Sequence, residues 1–237
     1  GAAFHSLLAD KLHDMGYRAS KADNDVWLLP AIKPDGFKYY KIVLTYIDDV
    51  LSISDDPIKT MKGIQSTFKL KNDAIVVPDS YLGAGLSKMT NCEDKECWSL
   101  SSDSYMQAAV NKVEEELAQN GKRLPSRCAT PLSNGYRSDL DATAKLKSDI
   151  IQRYQELIGV LRWGIEIGRV DILYETALMS KHLALPRIGH LEQVFHIFGY
   201  LKSHKKLRIL MDPSQPDISS SAFKKYVWED FYRGFIE

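Results

Sequence analysis

"KIVLTYIDDVLSIS", residues 41–54, is the stretch on which the fold turns. Two strand-forming runs, 41–46 and 50–54, flank the adjacent aspartates Asp48 and Asp49. β-Branched and aromatic residues broken by a short polar centre predict a tight hairpin. Two carboxylates about 4 Å apart repel by roughly 4 kcal/mol at an effective dielectric near 20. A solvated bend that points them apart relieves this. So does a divalent cation held between converging oxygens. Mg²⁺ prefers one or two carboxylates completed by substrate phosphates. A stiff hairpin holds its tip still while lifting it out of the core, which suits metal-assisted phosphoryl chemistry. The plain Asp-Asp turn is the alternative.

Working outward, 3–15 predicts a helix, with Phe4, Leu7, Leu8, Leu12 and Met15 at spacings of 3 and 4 and Gly16 as its stop. "DVWLLP" predicts a short strand ended by Pro30, and "KPDGFKYY" a hairpin turn. Asp56 and Pro57 read as cap and first residue of a helix running to about Phe68. Residues 80–88 and 96–101 read as paired strands, and 104–121 as a helix closed by Gly121. A polar stretch, 122–149, reads as a boundary or extended connection. Beyond it the chain is mainly helical. Ile151, Tyr154, Ile158 and Leu161 form one apolar face, and Val194, Ile197, Phe198 and Leu201 another. A second helix is expected over 170–184, a short strand at "LRILMD", and a last aromatic helix over 219–232. The expected class is α+β: strands first, helices after.

Composition sets limits. The 237 residues carry 31 basic and 31 acidic side chains, so bulk positive charge is not what would hold nucleic acid; local basic patches remain open. Cys92, Cys97 and Cys128 show no metal-ligand spacing and read as reduced thiols. No run of 18 apolar residues is present, so no membrane partner is expected. No secretory leader is seen, and both ends read as cuts through a longer polypeptide.

Beyond the hairpin, the order of motifs carries a resemblance. "YIDD" (46–49) resembles the Y-x-D-D element of reverse transcriptases. "FHSLLADKLHDMGYRASKADNDVWL" upstream, and "TFKLKND", "YLGAGLS", "SSDSYMQAAVNKVEEE" and "ATPL" downstream, are similar in order and kind to copia-type retrotransposon polymerases. So is the long stretch from "YQELIGVLRWGIEIGRVDI" to "FGYLKSH". The resemblance runs from about Phe4 to His204.

That resemblance implies a partial palm over 1–100, a thumb helix and connection over 101–148, and a helical thumb or connection part over 149–237 leading toward an RNase H region. It implies two Mg²⁺ ions, with Mn²⁺ as a substitute, held by Asp48 as principal ligand and Asp49 as second. Tyr46 and Ile47 would lie near the primer end. Tyr81, Leu82 and Gly83 would belong to a primer grip whose backbone steers the 3′ terminus. Lys71, with Lys69 close by, matches the position of a general acid toward pyrophosphate; a solvated strand lysine is the other reading. The implied partners are an RNA or DNA template-primer, a deoxynucleoside triphosphate and the rest of a Pol polyprotein: fingers, RNase H and integrase. The implied workplace is intracellular, a cytoplasmic particle or the nucleus. The family's third aspartate sits on a strand ahead of the first helix, which this sequence lacks. The chain alone is therefore expected not to polymerise DNA. The competing function is a degenerate, non-enzymatic nucleic-acid-binding or interaction module.

Other residues read less sharply. Lys202, Lys205 and Lys206 suit either phosphate contact or a helix C-terminus. Arg162 and Arg169 read as duplex-facing or surface residues. His190 and His196 read as structural. Tyr226, Trp228, Phe231 and Tyr232 read as base-stacking, core or interface residues. Ser6, Cys128 and His182 form no nucleophile-base set.

Overall fold

The computed structural model describes residues 2–70 and 74–212. The described chain is α+β, with two four-stranded antiparallel sheets and six α-helices. The first sheet is a meander of β1 (Arg18–Ala19), β2 (Val26–Ile32), β3 (Lys38–Tyr46) and β4 (Asp49–Ile53), in that order. Helices α1 (Ala2–Asp14) and α2 (Pro57–Gln65) cover one face of it. Side chains alternate across a strand. Trp27, Val43 and Thr45 therefore share the inner face, and Trp27 and Val43 pack with Leu8, Leu12, Tyr17 and Ile64. The α2 cap forms as expected: the Asp56 carboxylate accepts from the Lys59 N–H at 3.1 Å, and Pro57 opens the helix.

Two expectations shift. β2 runs through Pro30, which pairs with Tyr40, rather than stopping there. β1 reaches only Leu28 and Trp27, so the missing proline N–H falls on an open edge, where it breaks no ladder bond. Helix α2 ends at Gln65 because the Ser66 hydroxyl turns back to the Gly63 carbonyl at 2.7 Å, a local bond that competes with a further turn.

The second sheet holds β5 (Ser80–Tyr81), β6 (Ala84–Thr90), β7 (Glu96–Ser101) and β8 (Ile209–Met211). β8 arrives from beyond the helical part and pairs with β7, Leu100 opposite Ile209. The strand anticipated at "LRILMD" thus lies in the same sheet as 80–101. Between them come α3 (Asp103–Gln119), α4 (Ser148–Glu166), α5 (Leu173–Ser180) and α6 (Ile188–Ser203). Tyr154, Ile158, Leu161, Val194, Ile197 and Phe198 make the centre of this second core. The helix expected over 170–184 is split into a 3₁₀ turn, Val170–Ile172, and α5.

The polar stretch after α3 is strapped along α6 rather than free. Gln193 accepts from the Ser133 N–H at 2.9 Å, and a His196 ring nitrogen bonds the Pro131 carbonyl at 3.1 Å. The Arg187 N–H donates to His190 Nδ1 at 3.0 Å, so His190 Nε2 carries the ring proton and donates to the Ser138 carbonyl at 3.0 Å. His190 and His196 are structural here. His182 stacks on His190 with ring centres 3.9 Å apart. Burial, then His190 and Lys181, hold His182 below the usual imidazole range against the opposing pull of Asp139 and Asp141. In the unfolded chain His182 takes up a proton near pH 6.5; in the folded chain it does so only at lower pH. The stability of the protein should therefore fall as pH drops below about 6.5. Urea midpoints measured between pH 7.5 and 5.5 should show this slope, and His182→Asn should flatten it.

Arg169 is neither duplex-facing nor a surface residue. It is 1% exposed, and it donates from Nε and Nη2 to the two Asp171 carboxylate oxygens at 2.8 and 2.9 Å. Among the described residues no helix is long and apolar enough to cross a membrane, and all three cysteines are unpaired. Lys71, the expected helix over 219–232, and its aromatics Tyr226, Trp228, Phe231 and Tyr232 lie outside the described residues.

Candidate functional site: two hairpin tips beside one tryptophan

The β3–β4 turn is as short as a hairpin allows. Tyr46 pairs with Asp49, leaving Ile47 and Asp48 as its two-residue tip. Ile47 has φ +54°, a left-handed conformation that a β-branched residue rarely adopts. Such strain costs about 1–3 kcal/mol and gathers at functional sites. Asp48 and Asp49 are both exposed, one at the tip and one at the first position of β4. Among the described residues, no three His, Cys, Asp or Glu side chains gather into a metal-binding group.

The β5–β6 turn has the same length. Tyr81 pairs with Ala84 around Leu82 and Gly83, with φ +52° and +85°. Positive φ at both central residues is the geometry of the tightest hairpin turns, which ordinarily take Asn-Gly. Leucine at the first of these positions is strained. Leu82→Gly should therefore raise the unfolding free energy by about 1 kcal/mol, readable as a shift in the urea midpoint. A destabilised variant would show that Leu82 contributes packing that outweighs its backbone cost.

Both turns stand near Trp163 of α4, the first through Tyr46, the residue before its tip, and the second through Gly83. The Tyr46 and Trp163 ring centres are 6.4 Å apart, tilted by 42°. A Cβ added to Gly83 would stand 3.9 Å from the Trp163 indole nitrogen. Tyr81 joins the two turns electrostatically. Burial, then the negative charges of Asp49 and Asp25, push its phenol above the ordinary tyrosine range. Tyr46, Asp49, Tyr81 and Gly83 are thus brought into one neighbourhood. Asp25 is an addition that sequence reading missed. Its backbone carbonyl accepts from the Thr45 N–H at 2.9 Å, and its carboxylate bonds His5 Nε2 at 2.7 Å. The only sequence signal for it is a polar turn ahead of β2.

The basic residues are placed differently. Arg162 is exposed on α4, where it lines a shallow groove of about 310 Å³ with Ile165, Glu166, Leu173 and Thr176. Lys202 is engaged by Glu114 of α3. Lys205 and Lys206 are exposed beyond the end of α6. Lys69, also exposed, follows α2.

Comparison with known proteins gives one informative relative. The chain is 27% identical over 168 residues, 70% of its length, to a Saccharomyces cerevisiae protein named for the Ty5-1 transposon. The match spans 50% of that protein. Ty5 elements are of the Ty1/copia type, so this chain is a distant relative of a retrotransposon protein. No protein-family model matches the chain, and no solved structure matches it.

Proposed function

We propose that this chain is the part of a copia-type reverse transcriptase that carries the metal-binding hairpin, and that it serves nucleotidyl transfer on a primer-template. The reading rests on one observation above the others. Two strained two-residue turns, Ile47–Asp48 (followed by Asp49) and Leu82–Gly83, stand near the same tryptophan, the first through its flanking Tyr46 and the second through Gly83. The first offers exposed, hard oxygen donors suited to Mg²⁺ or Mn²⁺. The second offers a backbone turn beside them that positions the primer's 3′ end. Tyr46 and Ile47 border that end.

Bound Mg²⁺ would polarise phosphate oxygens and offset the charge that develops on them. The chain's own work is to hold the two carboxylates and the turn in register and to carry duplex across α4, where Arg162 is exposed. Lys205 and Lys206 add backbone contacts, Lys202 after exchanging Glu114, and Lys71 protonates the leaving pyrophosphate. A two-metal site draws its carboxylates from separate strands. Among the described residues β4 has β3 as its one strand neighbour, which leaves a place beside it for a further strand bearing an aspartate. The chain then acts with fingers, RNase H and integrase regions of a longer polyprotein. Without them its role is binding.

Fluorescence anisotropy of a labelled RNA–DNA primer-template tests this. Binding should strengthen on adding Mg²⁺, and the double change Asp48→Asn, Asp49→Asn should abolish that increment while leaving salt-sensitive binding in place. An increment that survives the double change would remove the hairpin from the metal site.

A further inference from the structure

Residues 130–146 hold one 3₁₀ turn, Ser138–Leu140, and one isolated bridge, Lys145 with Arg187. This strap nevertheless closes the start of α6. A helix leaves its first N–H groups without partners of its own. Here the Ile188 N–H donates to the Ala144 carbonyl at 3.0 Å, and the Gly189 N–H to the Thr143 hydroxyl at 2.9 Å. The Asp141 carboxylate fills the space over Gly189, where an added Cβ would fall 1.9 Å from Oδ2. It is held there by the Tyr136 hydroxyl at 2.8 Å and the Thr143 N–H at 2.9 Å. Two histidines sit under the strap. His190 uses both ring nitrogens, one accepting from the Arg187 N–H and one donating to the Ser138 carbonyl, so neither is open to a second proton. His182 lies on it with the ring planes 23° from parallel. His182 Nε2 is buried, with no hydrogen-bond partner among the described residues, and so is the Ser138 hydroxyl on the strap. A neutral imidazole can leave that nitrogen bare. The cation carries N–H on both nitrogens, and at Nε2 a buried donor would then meet no acceptor.

We propose that the His182–His190 stack is an acid-sensitive latch: one proton taken up by His182 draws its ring off His190, frees the 130–146 strap and bares the first turn of α6 while α4 stays folded. The charges around His182 set the direction. Lys181, beside it in sequence, and His190, from α6, oppose a cation there; Asp139 and Asp141, both on the strap, attract one. From α4 comes Gln155, which is uncharged and bonds the Leu183 carbonyl at 2.9 Å. Among the described residues neither carboxylate is hydrogen-bonded to the His182 ring, so pairing with one takes the ring out of the stack. His190 then loses its cover, and water competes for the Ser138 carbonyl. The sign follows from linkage. An opened strap returns His182 to solvent, where it takes up a proton near pH 6.5, whereas burial holds that proton off in the closed form. Acid therefore favours opening. For one such group the gain between pH 7.5 and 5.5 is at most about tenfold. The latch owes nothing to the hairpin aspartates, and its test reads no activity.

Native-state amide exchange on the 237-residue chain tests this, read as protection factors so that the intrinsic pH dependence of exchange drops out. The reporting amides are Ser133, Leu146, Ile188 and Gly189, whose N–H groups bond across the joint between strap and helix. At pH 7.5 they should be at least about 100-fold less protected than Tyr154 and Ile158 of α4, and about 0.5 M urea should leave them unchanged, because a local opening exposes little surface. Between pH 7.5 and 5.5 their protection should fall by about three- to tenfold. His182→Phe keeps a ring on His190 but takes up no proton. It should remove the fall and leave protection at pH 7.5 within about twofold of the wild-type value. Where that variant does not fold, His182→Gln, also without a titrating group, replaces it with the same two outcomes. Strap amides as protected and as urea-sensitive as those of α4 would mean that the strap opens only with the whole fold, and would overturn the latch. So would protection that stays level with pH in the wild-type chain, or an equal fall in the variant.

Discussion

Asp48→Asn, made in a form extended upstream, is expected to lower nucleotide incorporation on an RNA template by about 10³-fold. A metal ion contributes several kcal/mol to stabilising charge on transferring phosphate, and about 4 kcal/mol corresponds to that factor. Asparagine keeps the size of the side chain and suits a tight turn, so the hairpin should persist. Asp49→Asn should act in the same direction. It also carries a second, activity-independent signature. The charge of Asp49 helps raise the Tyr81 phenol, so neutralising it should bring the Tyr81 titration down, followed by ultraviolet absorbance at high pH. Asp48→Asn should leave that titration in place, because Asp48 is not among the groups acting on Tyr81. Full incorporation by Asp48→Asn would refute its assignment as a ligand.

The largest stability effect should come from a residue outside the hairpin. Asp171→Ala leaves the Arg169 guanidinium, 1% exposed, without its bidentate partner. An uncompensated buried cation costs about 3–5 kcal/mol. Asp171 is 21% exposed, so water relieves part of this and about 2–4 kcal/mol is expected. The double change Arg169→Met, Asp171→Leu should recover most of the loss, since apolar residues of similar volume often replace a buried pair at little cost. Urea denaturation of the three variants measures both. A double variant no better than Asp171→Ala would mean that Arg169 contributes packing that Met does not restore.

The sequence resolved some of this and not the rest, for physical reasons. The β3–β4 hairpin was readable because alternating strand formers stop at a two-residue centre. The α4 and α6 faces were readable because their apolar residues recur at helical spacing, and Tyr154, Ile158, Val194 and Phe198 are buried as that spacing requires. The second tight turn, at Leu82 and Gly83, was not readable. Leucine at positive φ is imposed by the surroundings rather than by its own preference. The burial of Arg169 was equally silent, because its partner lies two residues away in a turn that only tertiary packing closes. Trp163 carries no sequence signal beyond being an aromatic residue within α4. Its place beside both hairpin tips depends on how the helices sit on the sheets, a non-local property no periodicity records. Asp25 was missed for the same reason.

β8 has a consequence for how the molecule is made. The ribosome emits β7 about a hundred residues before the strand that pairs with it. At about 5–20 residues per second, β7 waits some 5–20 seconds with one side unpaired. During that interval Leu100 and its neighbours are a template for any passing extended chain. The last act of synthesis over this region is thus also the one that removes an aggregation hazard, and truncations ending before Ile209 should accumulate as inclusion bodies.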